Sequence, residues 1–224
     1  MDLRTLQKNL ASVKRRIEEA CSRSGRTNIP RLLVASKYFG VEEMSLLVQA
    51  GIRLVGENRA EELVKKWERW NREFEFHFIG HLQSRKVRMV LPRVTLIHSV
   101  DSLSLVRELD KRADSVVKVL LEVNVSGEKT KYGILPEAAE NFLAEATAYP
   151  KVHFVGLMTM APLVADPEDV RPCFRGLRDL RDRLAPIFGE RYELSELSMG
   201  MSNDFEVAVE EGATIVRLGS ALLL

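Results

Sequence analysis

Eight short apolar runs recur along the chain at intervals of about twenty to forty residues, and nearly every one ends in polar or glycine-rich residues. Those ends fall at Lys37, Asn58, His81, Asp101, Gly127, Met160, Ser202 and Ser220. The pattern predicts strands at 31–37, 52–57, 75–80, 94–100, 116–125, 152–159, 195–200 and 214–219. Helical spacing between them predicts helices at 41–50, 59–70, 83–90, 102–113, 136–148, 167–186 and 203–211. Regular strand–helix alternation means an α/β fold with parallel strands, and runs such as Val116–Leu121 have the aliphatic, β-branched character of strands buried on both faces. An open doubly wound sheet would concentrate ligand groups at one switch point, whereas polar residues here close strand after strand, as the mouth of a closed (β/α)8 TIM barrel requires.

Ahead of the first strand, Leu3, Leu6, Leu10, Val13, Ile17 and Ala20 recur at spacings of three and four. That is an amphipathic helix, which Gly25 can terminate. The expected organisation is one barrel domain over residues 1–224, with residues 1–25 packing on it as an extra N-terminal helix. A chain of 224 residues is long enough for such a core. Lys and Arg total 33 against 32 Asp and Glu, so no charge excess points to nucleic acid or an anionic membrane. Cys21 and Cys173 form no disulfide framework and no metal-ligand spacing, and no apolar stretch nears the roughly 20 residues that span a bilayer. A soluble, cytoplasmic, monomeric protein is expected.

Several strand ends carry chemistry. Lys37 closes the first apolar run; partial desolvation and nearby cations there would make its amine a nucleophile for carbonyls, although a lysine at a strand terminus can equally extend to solvent. Asn58, in Gly56-Glu57-Asn58-Arg59, can orient a ring substituent or serve as the N-cap of a helix beginning at Arg59. His81 sits at the mouth but shares no metal spacing with another ligand, so a structural role is favoured over catalysis. Glu128–Gly133 reads as a charged loop that could close over the mouth.

Ser198-Met199-Gly200-Met201-Ser202 precedes one helix and Arg217-Leu218-Gly219-Ser220 ends the last strand. Both suit anion binding, through small residues that expose backbone N–H groups, through hydroxyls, and through a helix N-terminus, though each alone is also an ordinary turn. Strands one and eight are neighbours in a closed barrel, so Lys37 would lie beside Arg217 and Ser220. An amine next to a phosphate site fits a phosphorylated aldehyde, and pyridoxal 5′-phosphate has both handles. Met158, Met160, Met199 and Met201 are expected to fill the core or line the pocket.

The segments Val34–Lys37, Val55–Arg59, Phe78–Ser84, His98–Ser102, Gly156–Met160, Leu197–Ser202 and Val216–Ser220 together resemble the pyridoxal phosphate homeostasis protein family, in order and over almost the whole chain. The resemblance implies a barrel similar to the N-terminal domain of fold-type III enzymes such as alanine racemase. It also implies pyridoxal 5′-phosphate held as a Schiff base on Lys37, with Ser202, Gly219 and Ser220 on the phosphate, Arg217 facing the pyridine nitrogen, Asn58 near the ring and Ser198 as a further phosphate candidate. The family commonly has Thr where this chain has Ser220, which keeps the hydroxyl, and continues differently where this chain reads Leu222-Leu223-Leu224.

A carrier in vitamin B6 homeostasis, handing cofactor to apo-enzymes without robust catalysis of its own, is the expected function. Racemisation needs a base on each face of the substrate, and alanine racemase takes its second from a separate domain with no counterpart expected here. A weak amino-acid racemase or lyase using Lys37 and His81, and a Schiff-base phosphosugar aldolase without the cofactor, are the alternatives.

Overall fold

The computed structural model describes residues 2–223 and holds one closed barrel in which β1 to β8 follow one another in chain order. The strands are β1 (Arg31–Ala35), β2 (Leu54–Glu57), β3 (Glu75–Phe78), β4 (Leu96–Val100), β5 (Val117–Glu122), β6 (Val152–Met158), β7 (Glu196–Ser198) and β8 (Ile215–Leu218). The helices are α1 (Leu3–Arg23), α2 (Met44–Gln49), α3 (Ala60–Trp70), α4 (Val87–Val90), α5 (Leu103–Arg112), α6 (Ala139–Ala146), α7 (Arg171–Phe188) and α8 (Phe205–Glu210). Every strand pair is parallel, and β8 pairs back onto β1 with Leu33 opposite Arg217. Alternation along each strand then separates two cores. Outward residues such as Phe76, Phe78 and Ile97 pack with the helices, whereas Leu33, Leu54, Ile79, Leu96, Leu120, Val155, Met158 and Ile215 form a smaller cluster in the barrel interior.

The elements fall where the apolar spacing predicts them, with shorter strands. The first strand ends at Ala35 rather than Lys37, and Ser36–Tyr38 turn into a short 3-10 helix. The fifth ends at Glu122 rather than residue 125; beyond it Val123 still donates to the Met158 carbonyl at 2.8 Å and forms an isolated bridge with Ile134. Pro92 limits α4 to one turn, which runs into a 3-10 turn at Leu91–Arg93.

α1 is capped by the Asp2 carboxylate, which accepts the Thr5 N–H at 2.9 Å. It buries Leu6, Leu10, Val13, Ile17 and Ala20 and packs on α8 and the Ser220–Leu222 turn, with Arg16 and Arg23 paired to Glu206 and Glu210. The Asn9 side chain donates to the Leu222 carbonyl at 3.1 Å, so the N-terminal helix braces the segment that follows β8. Of the Leu222–Leu224 continuation, Leu224 lies outside the described residues.

One buried ion pair fixes the backbone before Lys37. Lys66 on α3 and Glu57 at the end of β2 are 2% and 1% exposed and hydrogen-bonded to each other. Lys66 Nζ also donates to the Ser36 carbonyl at 2.7 Å, while Ser36 Oγ donates to Glu57 Oε1 at 2.7 Å. Removing one partner strands the other charge in the interior. Lys66→Met is therefore expected to lower unfolding free energy by about 3–5 kcal/mol in urea titrations. The double variant Glu57→Gln/Lys66→Met should cost clearly less than the two single losses added together; simple additivity would show that the pair is not coupled.

Candidate functional site

The strand ends gather around a cavity of about 420 Å³ at the C-terminal mouth of the barrel. Lys37, Asn58, Ser202, Arg217, Gly219 and Ser220 all line it, so six of the seven expected site residues share one space. Lys37 stands in the turn just past β1, solvent-exposed, with its Nζ 5.0 Å from the centre of the Tyr38 ring and no hydrogen bond or ion pair among the described residues. The expected desolvation of this amine is not present; it reaches outward into the mouth.

Two further expectations are corrected. Asn58 does not cap α3: Arg59 holds the N-cap position, and the Asn58 side chain is left to face the cavity. Ser198 is not a phosphate ligand position. It is fully buried beneath the mouth, its hydroxyl engaged by Arg217 Nη1 at 2.5 Å and by His98 Nδ1 at 2.9 Å.

Two backbone donors converge instead between Ser202 and the end of β8. The N–H groups of Gly219 and Ala221 converge on Ser202 Oγ at 3.3 and 3.1 Å, two backbone donors aimed at one oxygen. Gly200 makes the turn before Ser202 possible: its φ is +92°, and a Cβ there would lie 2.6 Å from that of Ala208. Asp204 closes the turn by accepting the Met201 N–H at 2.6 Å. At Gly219 the reason for glycine is space, since a Cβ would fall 2.3 Å from the Tyr38 ring.

Arg217 forms the inner wall. Its Nη2 donates to the Thr159 carbonyl at 2.8 Å, and the side chain is buried, which brings its pKa down to about 10 despite the opposing charges of Glu122 and Asp204. Glu122, at the end of β5, is 5% exposed and lines the same cavity. Burial, reinforced by Asp101, raises it to about 7, and Arg217 only partly offsets this. On the outer side the His81 ring stacks on Tyr132, centroids 4.1 Å apart, and Lys131 donates to the Met160 carbonyl at 3.1 Å. The loop after β5 is thus fastened beside the mouth rather than standing free. Met158 and Met199 are core residues, while Met160 and Met201 line the cavity.

Among the described residues no cluster of His, Cys, Asp and Glu could hold a metal ion, and no helix is long and apolar enough to cross a membrane. Both cysteines are buried and free.

The family model for the alanine racemase N-terminal domain matches residues 1–224. A pyridoxal phosphate homeostasis protein of Aquifex aeolicus is 47% identical over 218 residues, 95% of each chain. The chain belongs to the pyridoxal phosphate homeostasis protein family. The solved structure of PipY from Synechococcus elongatus with PLP bound is 30% identical, with a TM-score of 0.82 over 97% of this chain and 99% of that one. An alanine racemase of Clostridium difficile, 15% identical, superposes with a TM-score of 0.75 over 97% of this chain and 56% of that one, and so shares the barrel fold alone.

Tyr38, Glu122 and Asp204 also line the cavity, and the sequence reading does not place them there. Glu122 leaves a trace in the sequence as a carboxylate closing the apolar run Val119-Leu120-Leu121, and Asp204 as the end of the polar segment ahead of α8. Because its value in the fold lies above the ordinary 4.5, ionising Glu122 costs stability as pH rises from about 4.5 to about 7, and the cost is absent below that window. Glu122→Gln should accordingly leave stability near wild type at the acid end and raise it by on the order of 2 kcal/mol above pH 7.5. Parallel urea titrations across this range check it; a difference independent of pH would mean that Glu122 titrates normally.

Proposed function

We propose that this protein binds pyridoxal 5′-phosphate reversibly through Lys37 and acts in its homeostasis, delivering cofactor to apo-enzymes as a monomeric, single-domain carrier in the cytoplasm. One observation carries the reading: an amine without a hydrogen-bond or ion-pair partner among the described residues shares a cavity with Gly219 and Ser202, where two backbone N–H donors converge, and with a buried guanidinium. Membership of a family whose curated relatives are named pyridoxal phosphate homeostasis protein supports it, as does the PLP-bound PipY structure.

The bound group would supply an aldehyde that an amine can capture with loss of water. Lys37 is the amine placed to do so. The N–H groups of Gly219 and Ala221, with the hydroxyls of Ser202 and Ser220, would hold the phosphate. Arg217 would face the ring nitrogen as a donor and disfavour its protonation. Asn58 would orient the ring edge. His81, stacked on Tyr132, lacks the freedom expected of a second base.

Glu122 favours a second reading, a weak racemase or lyase, because a cavity carboxyl with a pKa near 7 can exchange a proton at neutral pH. The phosphosugar aldolase has no comparable support.

With pyridoxal phosphate added, wild-type protein is expected to develop a visible absorption band, and borohydride reduction should fix the adduct on Lys37 by peptide mass mapping. Lys37→Ala should abolish the band and the site-specific adduct. Label spread over surface lysines would reject the assignment. Exchange of an amino acid's α-hydrogen in deuterated solvent, lost in both Lys37→Ala and Glu122→Gln, would favour the enzyme over the carrier.

A further inference from the structure

Five polar side chains form a continuous file through the barrel interior. Arg217 Nη1 donates to Ser198 Oγ at 2.5 Å, and Ser198 Oγ lies 2.9 Å from His98 Nδ1. His98 Nε2 lies 2.9 Å from His77 Nδ1, and His77 Nε2 lies 2.9 Å from Glu75 Oε1. The first four residues are buried; Glu75, 41% exposed, sits at the opposite end of the barrel in a second cavity of about 220 Å³ that also borders Arg31, His77 and Glu196. Barrel interiors are ordinarily filled by branched aliphatic side chains, so a polar file spanning this one calls for a purpose.

The two ends determine the protons between them. A guanidinium only donates, and an ionised carboxylate only accepts. The His77 hydrogen bond, aided by Thr95, holds Glu75 down at about 2, while burial keeps both imidazoles neutral by lowering their pKa values. His77 must then donate from Nε2 to Glu75 and accept at Nδ1. His98 in turn donates from Nε2 and accepts at Nδ1 from the Ser198 hydroxyl, whose oxygen is left to accept from Arg217. With neutral imidazoles and an ionised Glu75, no other arrangement satisfies every contact. The remaining charged groups bearing on the file are Arg31 and Glu196 near its lower end and Glu122 and Asp204 near Arg217.

We infer that His98 and His77, anchored by Glu75, are positioning residues for the cofactor site: through Ser198 they hold the Arg217 guanidinium in place, so the cation facing the ligand ring is oriented from the far end of the barrel. The ligand in this statement rests on the proposed function; the file itself does not.

Glu75 lies outside the binding machinery and can be varied to invert the file. Glu75→Lys replaces an obligate acceptor with an obligate donor, Glu75→Gln preserves an acceptor, and Glu75→Ala removes the acceptor without adding charge should the lysine variant fail to fold. In apoprotein carrying ¹⁵N-labelled histidine and arginine, wild type should show both imidazoles as neutral Nε2–H tautomers between about pH 6 and 8. Rotation about the Arg217 Cζ–Nη bonds should be slow. Glu75→Lys should reverse the tautomers, and Glu75→Ala should mix them. Both should speed the Arg217 rotation and weaken pyridoxal phosphate binding by about fivefold, with the Lys37 adduct still forming. Glu75→Gln should behave as wild type. Mixed tautomers in the wild type, or Arg217 motion and affinity unmoved by Glu75→Lys and Glu75→Ala, would overturn the inference. If wild type binds no pyridoxal phosphate but the apoprotein spectra respond as stated, the cofactor reading fails and the positioning of Arg217 stands.

Discussion

Closure of the sheet between β1 and β8 is the constraint on which the site depends. The register that sets Leu33 against Arg217 and Val34 against Leu218 brings the turn after β1 beside the turn after β8. Residues 180 positions apart in the chain, Lys37 and Arg217, thereby face one cavity. Gly219 lets the Tyr38 ring settle against the end of β8, and α1 braces the following turn from outside. An open sheet made from the same strands would leave the amine and the anion cradle on separate edges.

Closure also forces a choice about what fills the interior. Aliphatic side chains occupy its middle, but Arg217 brings a charge into it, and a buried charge is costly unless its donors are met. Thr159 and Ser198 meet two of them, Glu122 and Asp204 provide opposing charge, and the histidine file continues the donor–acceptor order toward Glu75. The lowered pKa of Arg217 and the raised pKa of Glu122 share a cause, since each is kept from water in a cavity where neither has a close ion-pair partner. The local electrostatics therefore follow from burying a guanidinium and a carboxyl in the same cavity wall.

Barrel topology was legible because strand ends and helix spacings are local, periodic signals. That six of the expected residues line one cavity was legible for the same reason, as they sit on or just past strand ends. Ser198 was misread because its neighbours resemble a phosphate turn, whereas alternation along β7 turns its hydroxyl inward. That difference is a register property that composition cannot convey. Asn58 as N-cap failed by one residue, the ordinary error at helix boundaries. The histidine file was invisible: His77 and His98 come from the neighbouring strands β3 and β4, and it is the register between them that brings His77 Nδ1 within 2.9 Å of His98 Nε2.

The backbone donors after β8 have an acceptor within the chain itself. The N–H groups of Gly219 and Ala221 have Ser202 as their acceptor, and the Tyr38 ring lies both on Gly219 and beside the Lys37 ammonium. On the proposed reading, a phosphate would compete with Ser202 for these N–H groups, so each new bond would yield only the modest net gain of an exchange. An enzyme that retains its cofactor through many turnovers gains from a cradle whose donors lack partners in its absence. On the proposed reading as a carrier, a turn whose N–H groups close on Ser202 favours release of the ligand over its retention.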